Sequence, residues 1–232
     1  MRPVVSRLIA AVVVSPTLVL AHGDVAPQAV DTAGLPQLGE EWLAENPWRD
    51  PEGEHWARAV EVGASGYNQN CARCHGLQAV SGGLAPDLRY LEADDYGDEW
   101  YLERFQLGYT QNGITKMPGF GDLLSQEAAW AIRTYIEARP DDGALDDFAE
   151  DLKGFRDRLK DMVDGSATVA DNAAELDAMR ATLSDIARGI ETGSGAPLAD
   201  SVASRAVAAL DGSAESIKNA AEVLTIGLSA AQ

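Results

Sequence analysis

Leu145, Phe148, Leu152, Phe155, Leu159 and Met162 recur at alternating steps of three and four, and Leu176, Met179, Leu183, Ile186 and Ile190 repeat the pattern after a break at Asp164-Gly165-Ser166. Each run is an apolar seam suited to helix pairing. The turn-rich segment Thr192-Gly193-Ser194-Gly195-Ala196-Pro197 ends the second run, and Leu198 to Leu210 and Ser213 to Leu228 predict two shorter helices. Four helices in a small bundle and a long hairpin that dimerises both satisfy this pattern. Upstream, Trp56, Val60, Ala64 and Tyr67 fall at helical spacing from Glu54 to near Asn70. A shorter helix from Asp98 to Gly108 carries Trp100, Leu102, Phe105 and Leu107. A third follows Ser125 as N-cap, presents Trp130, Ile132, Tyr135 and Ile136, and stops at Pro140. Gly63 and Ala64 leave room for the first of these helices to cross closely over the third.

The composition divides the chain. Residues 22–53 are rich in Pro, Gly, Asp and Glu, with Trp42 and Trp48 as isolated apolar anchors, and predict an extended arm. Residues 54–140 hold the aromatic helices; beyond the linker-like Asp141-Asp142-Gly143, alanine dominates and residues 141–232 form a helical extension. Residues 1–21 carry Arg2 and Arg7, an apolar run from Leu8 to Leu20 and the small-residue end Val19-Leu20-Ala21. That is the form of a secretory leader, which places the mature protein in the periplasm and His22 at its start. The run is shorter than the ~20 residues of a spanning helix and Pro16 interrupts it, and no later segment is apolar enough to span a membrane. With 18 Lys and Arg against 37 Asp and Glu the net charge is −19. Nucleic acid and anionic membranes repel such a surface, whereas a basic patch on a protein partner complements it.

The chemistry is concentrated in Cys71-Ala72-Arg73-Cys74-His75. Two thiols three apart and an adjacent imidazole are the pattern for covalent haem c: each thiol adds to a vinyl group and the histidine reaches the iron. A zinc site would need two more ligands, yet both cysteines of the chain are in the motif and the remaining histidines are His22 and His55. A thioredoxin-like redox pair would need a βαβ setting that the flanks lack. About forty residues further on, Met117 precedes Pro118 and Gly119, and proline holds it in extended backbone, where its thioether can meet the opposite face of the iron. His55 is the rival for that place, with His22 behind it. Filled axial positions describe an electron carrier; a labile distal ligand would instead describe a haem enzyme or gas-binding protein.

Gly63 to Tyr67, Cys71 to His75, Gly83-Leu84-Ala85-Pro86-Asp87-Leu88, Met117-Pro118-Gly119-Phe120 and the helix with Trp130 and Tyr135 together resemble a class I cytochrome c. The stretches from His22 to Asp31 and from Gly63 to Asn70 resemble the cytochrome c-550 type that accepts electrons from quinoprotein (PQQ-dependent) ethanol dehydrogenases. The resemblance spans residues 22–140. It implies an all-α haem domain with Cys71 and Cys74 as thioether anchors, and His75 and Met117 as axial ligands. It also implies the Pro86 carbonyl as acceptor for the second ring nitrogen of His75, where the residues alone leave a plain turn proline as the alternative. The donor it implies is a PQQ-dependent alcohol dehydrogenase, and the acceptor a terminal oxidase or another cytochrome. The extension, with no cofactor motif, reads as a docking or dimerisation element.

Overall fold

A computed structural model describes residues 27–165, 168–213 and 215–230. The leader and His22 lie outside the described residues. Helix α1 (Trp56–Asn70) runs almost directly into the single turn α2 (Ala72–His75), and α3 (Asp95–Leu107) follows a loop with two short 3-10 turns. A hairpin of β1 (Tyr109–Gln111) and β2 (Ile114–Met117) leads to α4 (Gln126–Glu137). Four further helices follow among the described residues: α5 (Ala149–Asp164), α6 (Ala173–Gly189), α7 (Val202–Ala209) and α8 (Ser216–Ala230).

The all-α expectation holds apart from this hairpin. Its turn is Asn112-Gly113, both with positive φ, which is the two-residue turn whose twist suits antiparallel strands. Helix α3 also begins earlier than the Asp98 start read from the pattern. The Asp94 carboxylate accepts the Gly97 N–H at 2.8 Å, which makes Asp94 the N-cap.

The first core is built where α1 crosses α4. A Cβ on Gly63 would lie 1.9 Å from the Ala131 carbonyl oxygen, so only glycine permits this approach. Tyr67 and Tyr135 meet beside the crossing with ring centroids 5.4 Å apart. Ser125 caps α4 by accepting the Ala128 N–H at 3.3 Å. The arm lies over this core: Trp48 is buried and Trp42 packs on Phe105.

Beneath the arm is a charged centre invisible to periodicity. Asp98 is buried between Arg49 and Arg133, and the latter pair meets at 2.9 Å with both side chains fully enclosed. Glu137 is shared by Arg49 and Arg133, and Asn46 donates to Glu137 and Thr134. Burial raises the Glu137 carboxyl above its ordinary range despite the two guanidinium groups. Such a group of charges contributes little net stability, but removal of one member leaves another buried and unpaired.

The second core uses the two seams predicted from the sequence. Leu152, Leu159 and Met162 of α5 and Leu176, Met179, Leu183 and Ile186 of α6 are buried with Ala203 and Ala206 of α7 and Leu224 of α8. Helix α8 packs against both α5 and α7, and α6 against α7. The seams therefore meet within one chain, in a core shared by all four helices.

The linker-like segment is bound rather than free. Asp141 N–H donates to Glu191 O at 2.9 Å, and Pro140 forms an isolated bridge with Thr192. The reason lies in the carbonyls that the last turn of a helix leaves unsatisfied. Ser194 Oγ donates to Glu137 O at 2.5 Å and Ala199 N–H to Ala138 O at 3.3 Å, so the loop between α6 and α7 finishes α4.

Candidate metal centre

Cys71, Cys74 and His75 are brought to one place by the simplest local means. Cys71 N–H continues the α1 hydrogen-bond ladder to Tyr67 O, and His75 N–H donates to Cys71 O, which makes one helical turn of the motif. Residues three apart lie on one face of such a turn, so the two sulfurs project together. Gly76 ends it with φ +83°, in a bend so tight that a Cβ would lie 1.8 Å from Val80 O. Tyr67 Oη donates to Gly76 O at 2.9 Å and ties this bend back to α1. Gln78 and Ala79, neither of them glycine, also have positive φ, a local cost that a functional loop can sustain.

His75 is buried, with Nδ1 2.9 Å from Pro86 O. A carbonyl only accepts, so Nδ1 carries the proton and Nε2 keeps its lone pair. This is the orientation a metal-binding imidazole requires. Asp87, the next residue, accepts from Ser81 N–H and from Arg89. Burial by itself would raise the Asp87 carboxyl, but these donors outweigh it and hold it below the usual range.

Met117 closes β2, opposite Tyr109, and packs on the first core. Its loop is pressed onto the end of α3: Phe120 N–H donates to Phe105 O at 2.7 Å, and a Cβ on Gly108 would lie 2.3 Å from Met117 O. The methionine thus leaves from a strand end fixed at two sides, in the extended backbone that Pro118 favours. His55, the rival ligand, precedes the first residue of α1, whereas Cys71 follows its last. Fifteen residues of helix separate them, about 22 Å.

The alternatives to haem find no support in this geometry. Burial, and then the neighbouring Cys74, push the Cys71 thiol up to about 12, opposite to the shift of a reactive redox cysteine. Among the described residues no three His, Cys, Asp or Glu side chains are gathered as a metal cluster. Exposed apolar side chains recur along the segments that follow the motif and flank Met117. Of the exposed large apolar side chains, Leu77, Val80 and Leu84 follow the motif, and Leu107, Tyr109, Ile114 and Leu123 flank Met117. Leu77, Leu84 and Leu107 are each more than 70% exposed, which a lone water-facing leucine gains nothing from and a porphyrin face would cover. Two thiols on one face, an imidazole with a free Nε2, and apolar rims fit haem c.

Comparison with known proteins decides the family. The chain is 59% identical to cytochrome c550 of Pseudomonas aeruginosa over 122 residues, which cover 53% of this chain and 83% of that protein. The chain belongs to the cytochrome c550 family. Residues 58–136 also match the family described as cytochrome C oxidase, cbb3-type, subunit III. Two proteins of Pseudomonas putida, quinohemoprotein alcohol dehydrogenases ADH-IIG and ADH IIB, are 36% and 35% identical over 84 and 82 residues. Those stretches cover 36% and 34% of this chain but only 11% of each dehydrogenase. No solved structure matches. The cytochrome accordingly carries haem c and is an electron carrier. Among the described residues no helix is long and apolar enough to cross a membrane.

Pattern reading missed the supports of this site: the Asp87 and Arg89 pair, the Tyr67 hydroxyl on Gly76, and the Asp98 centre. A signal existed for the hairpin alone, in the Asn112-Gly113 dipeptide.

Proposed function

We propose that this cytochrome is a periplasmic mono-haem carrier that takes single electrons from a separate PQQ-dependent alcohol dehydrogenase and passes them to a terminal oxidase or another cytochrome. Cys71 and Cys74 hold the haem by thioether bonds, His75 is the proximal ligand, Met117 the distal ligand, and Pro86 O accepts the hydrogen bond that His75 Nδ1–H donates. When bound, the haem supplies reversible exchange of one electron at iron. The chain's own task is to keep both axial places filled so that little moves on electron transfer. The observation that carries this reading is the buried His75 with Nδ1 facing Pro86 O at 2.9 Å, which leaves Nε2 as the one lone pair available. The donor is inferred from the two quinohemoprotein alcohol dehydrogenases, whose matching stretch is a small part of a far larger protein.

In organisation, residues 1–21 act as the export leader, 22–53 as the arm, 54–140 as the haem domain and 141–232 as the added bundle. Stopped-flow mixing of the oxidised cytochrome with a reduced quinoprotein alcohol dehydrogenase tests the donor. Fast, saturable haem reduction is expected; slow and unsaturable transfer returns the protein to an unassigned periplasmic carrier. Carbon monoxide added to the reduced protein tests the axial set. A ready adduct would assign the cytochrome to gas binding or catalysis instead.

A further inference from the structure

The segment from Ser81 to Ala93 carries the carbonyl that faces His75, and the added bundle grips that segment from outside. Inside it, Asp87 accepts from Ser81 N–H at 3.2 Å and from Arg89 Nη2 at 2.8 Å. Arg89 is buried and reaches the end of α4, where Nη1 donates to Pro140 O at 3.3 Å. The loop between α6 and α7 then covers Arg89 from the other side. A Cβ on Gly193 would lie 2.9 Å from Arg89 O and 3.1 Å from the Tyr90 ring. Next to it Ser194 O accepts the Ala93 N–H at 3.0 Å, while Ser194 Oγ donates to Glu137 O at 2.5 Å. One residue of the bundle therefore joins the end of α4 to the proximal loop, and the glycine before it permits the contact.

We propose that Gly193 and Ser194 are positioning residues for the proximal histidine: the extension clamps residues 86–93 onto α4, fixes Pro86 O against His75 Nδ1, and so keeps the reduction potential low. The inference rests on His75 being the proximal ligand. A carbonyl that accepts the Nδ1 proton makes the imidazole a stronger donor, and a stronger donor favours ferric over ferrous iron. Displacement of the carbonyl weakens that bond and raises the potential. A hydrogen bond of ordinary net strength corresponds to a change of about two- to tenfold in the equilibrium constant for reduction.

The test uses the full haem-loaded chain with the charge-neutral variants Gly193→Val, Gly193→Ala and Ser194→Ala, beside Leu183→Ala as a control in the bundle core away from this contact. Optical redox titration is expected to show reduction favoured about two- to tenfold in Gly193→Val. Gly193→Ala and Ser194→Ala should shift the same way by less, and Leu183→Ala should match the parent. The milder pair keeps the test valid if the valine prevents folding. Unchanged potentials in the Gly193 and Ser194 variants, or an equal shift in Leu183→Ala, would overturn the proposal. Absorption spectra of a His75→Met variant judge the ligand assignment separately: a spectrum like the parent's would sink that reading whatever the potentials show.

Discussion

The two cores of this chain are solved by opposite means. The haem domain buries aromatic rings and full charges, among them Asp98, Arg133 and Glu137, yet leaves Leu77, Leu84, Leu107 and Ile114 facing outward. Among its described residues, the bundle buries leucine, isoleucine, methionine and alanine, encloses no ion pair with both side chains buried, and exposes Val163 and Ile226 as its large apolar side chains. Its salt bridges, such as Arg158 with Glu175, lie on the surface. The difference teaches that the bundle is complete as a polypeptide, whereas the haem domain is completed by its cofactor. A section of such modest length has too little apolar interior to fold well without it.

The strongest way to break this comparison is to prevent haem attachment. In a Cys71→Ala, Cys74→Ala chain the haem domain should lose its fixed tertiary structure while α5 to α8 persist; hydrogen exchange that shows equal protection in both halves would defeat the contrast. Next in size, Asp98→Ala should destabilise the haem domain by about 3–5 kcal/mol, since it leaves Arg133 in a dry interior with Glu137, 3.5 Å away, as its remaining carboxylate. Denaturation followed at the haem band measures that loss. Leu183→Ala should cost the bundle about 2–5 kcal/mol and lower the far-ultraviolet transition more than the haem transition. If the two transitions instead fall together, the halves unfold as one unit.

A smaller effect is expected at the helix crossing. Gly63→Ala forces α1 from Ala131 O and should cost about 1–3 kcal/mol, with the haem spectrum as readout. The smallest concerns acid. Asp87 has its folded-state pKa held below the unfolded value, so the stability it adds is present above about pH 4 and is lost as pH falls through the folded value. The stability gap between the parent and Asp87→Asn should therefore be full at neutral pH and shrink in acid. A gap that widens in acid would reverse the assigned sign.

Much of this was legible in the linear pattern because it depends on neighbours. The seams of α5 and α6, the Ser125 cap and the closeness of Gly63 to α4 follow from periods of three and four and from side-chain size. The haem motif follows from a spacing that one helical turn converts into one face. What escaped depends on partners far along the chain. Asp94 and Asp98 look alike in a run of acids, yet one caps a helix and the other is sealed beneath the arm by Arg49 and Arg133. Asp141-Asp142-Gly143 has linker composition, but Glu191 O holds Asp141 N–H and Thr192 pairs with Pro140 just before it. Composition reports intrinsic flexibility, and a distant donor removes it.

By itself, then, the sequence set Cys71, Cys74 and His75 at the spacing that haem c requires, and it determined the helical class and the place where one kind of core gives way to another. Local spacing and hydrophobic period suffice for these, since each is settled within a few turns of chain. Only the tertiary structure decided that Asp98 pairs with Arg133 and that Ser194 of the bundle closes the end of α4. Those contacts join residues tens of positions apart, and their partners are selected by which buried donor would otherwise lack an acceptor.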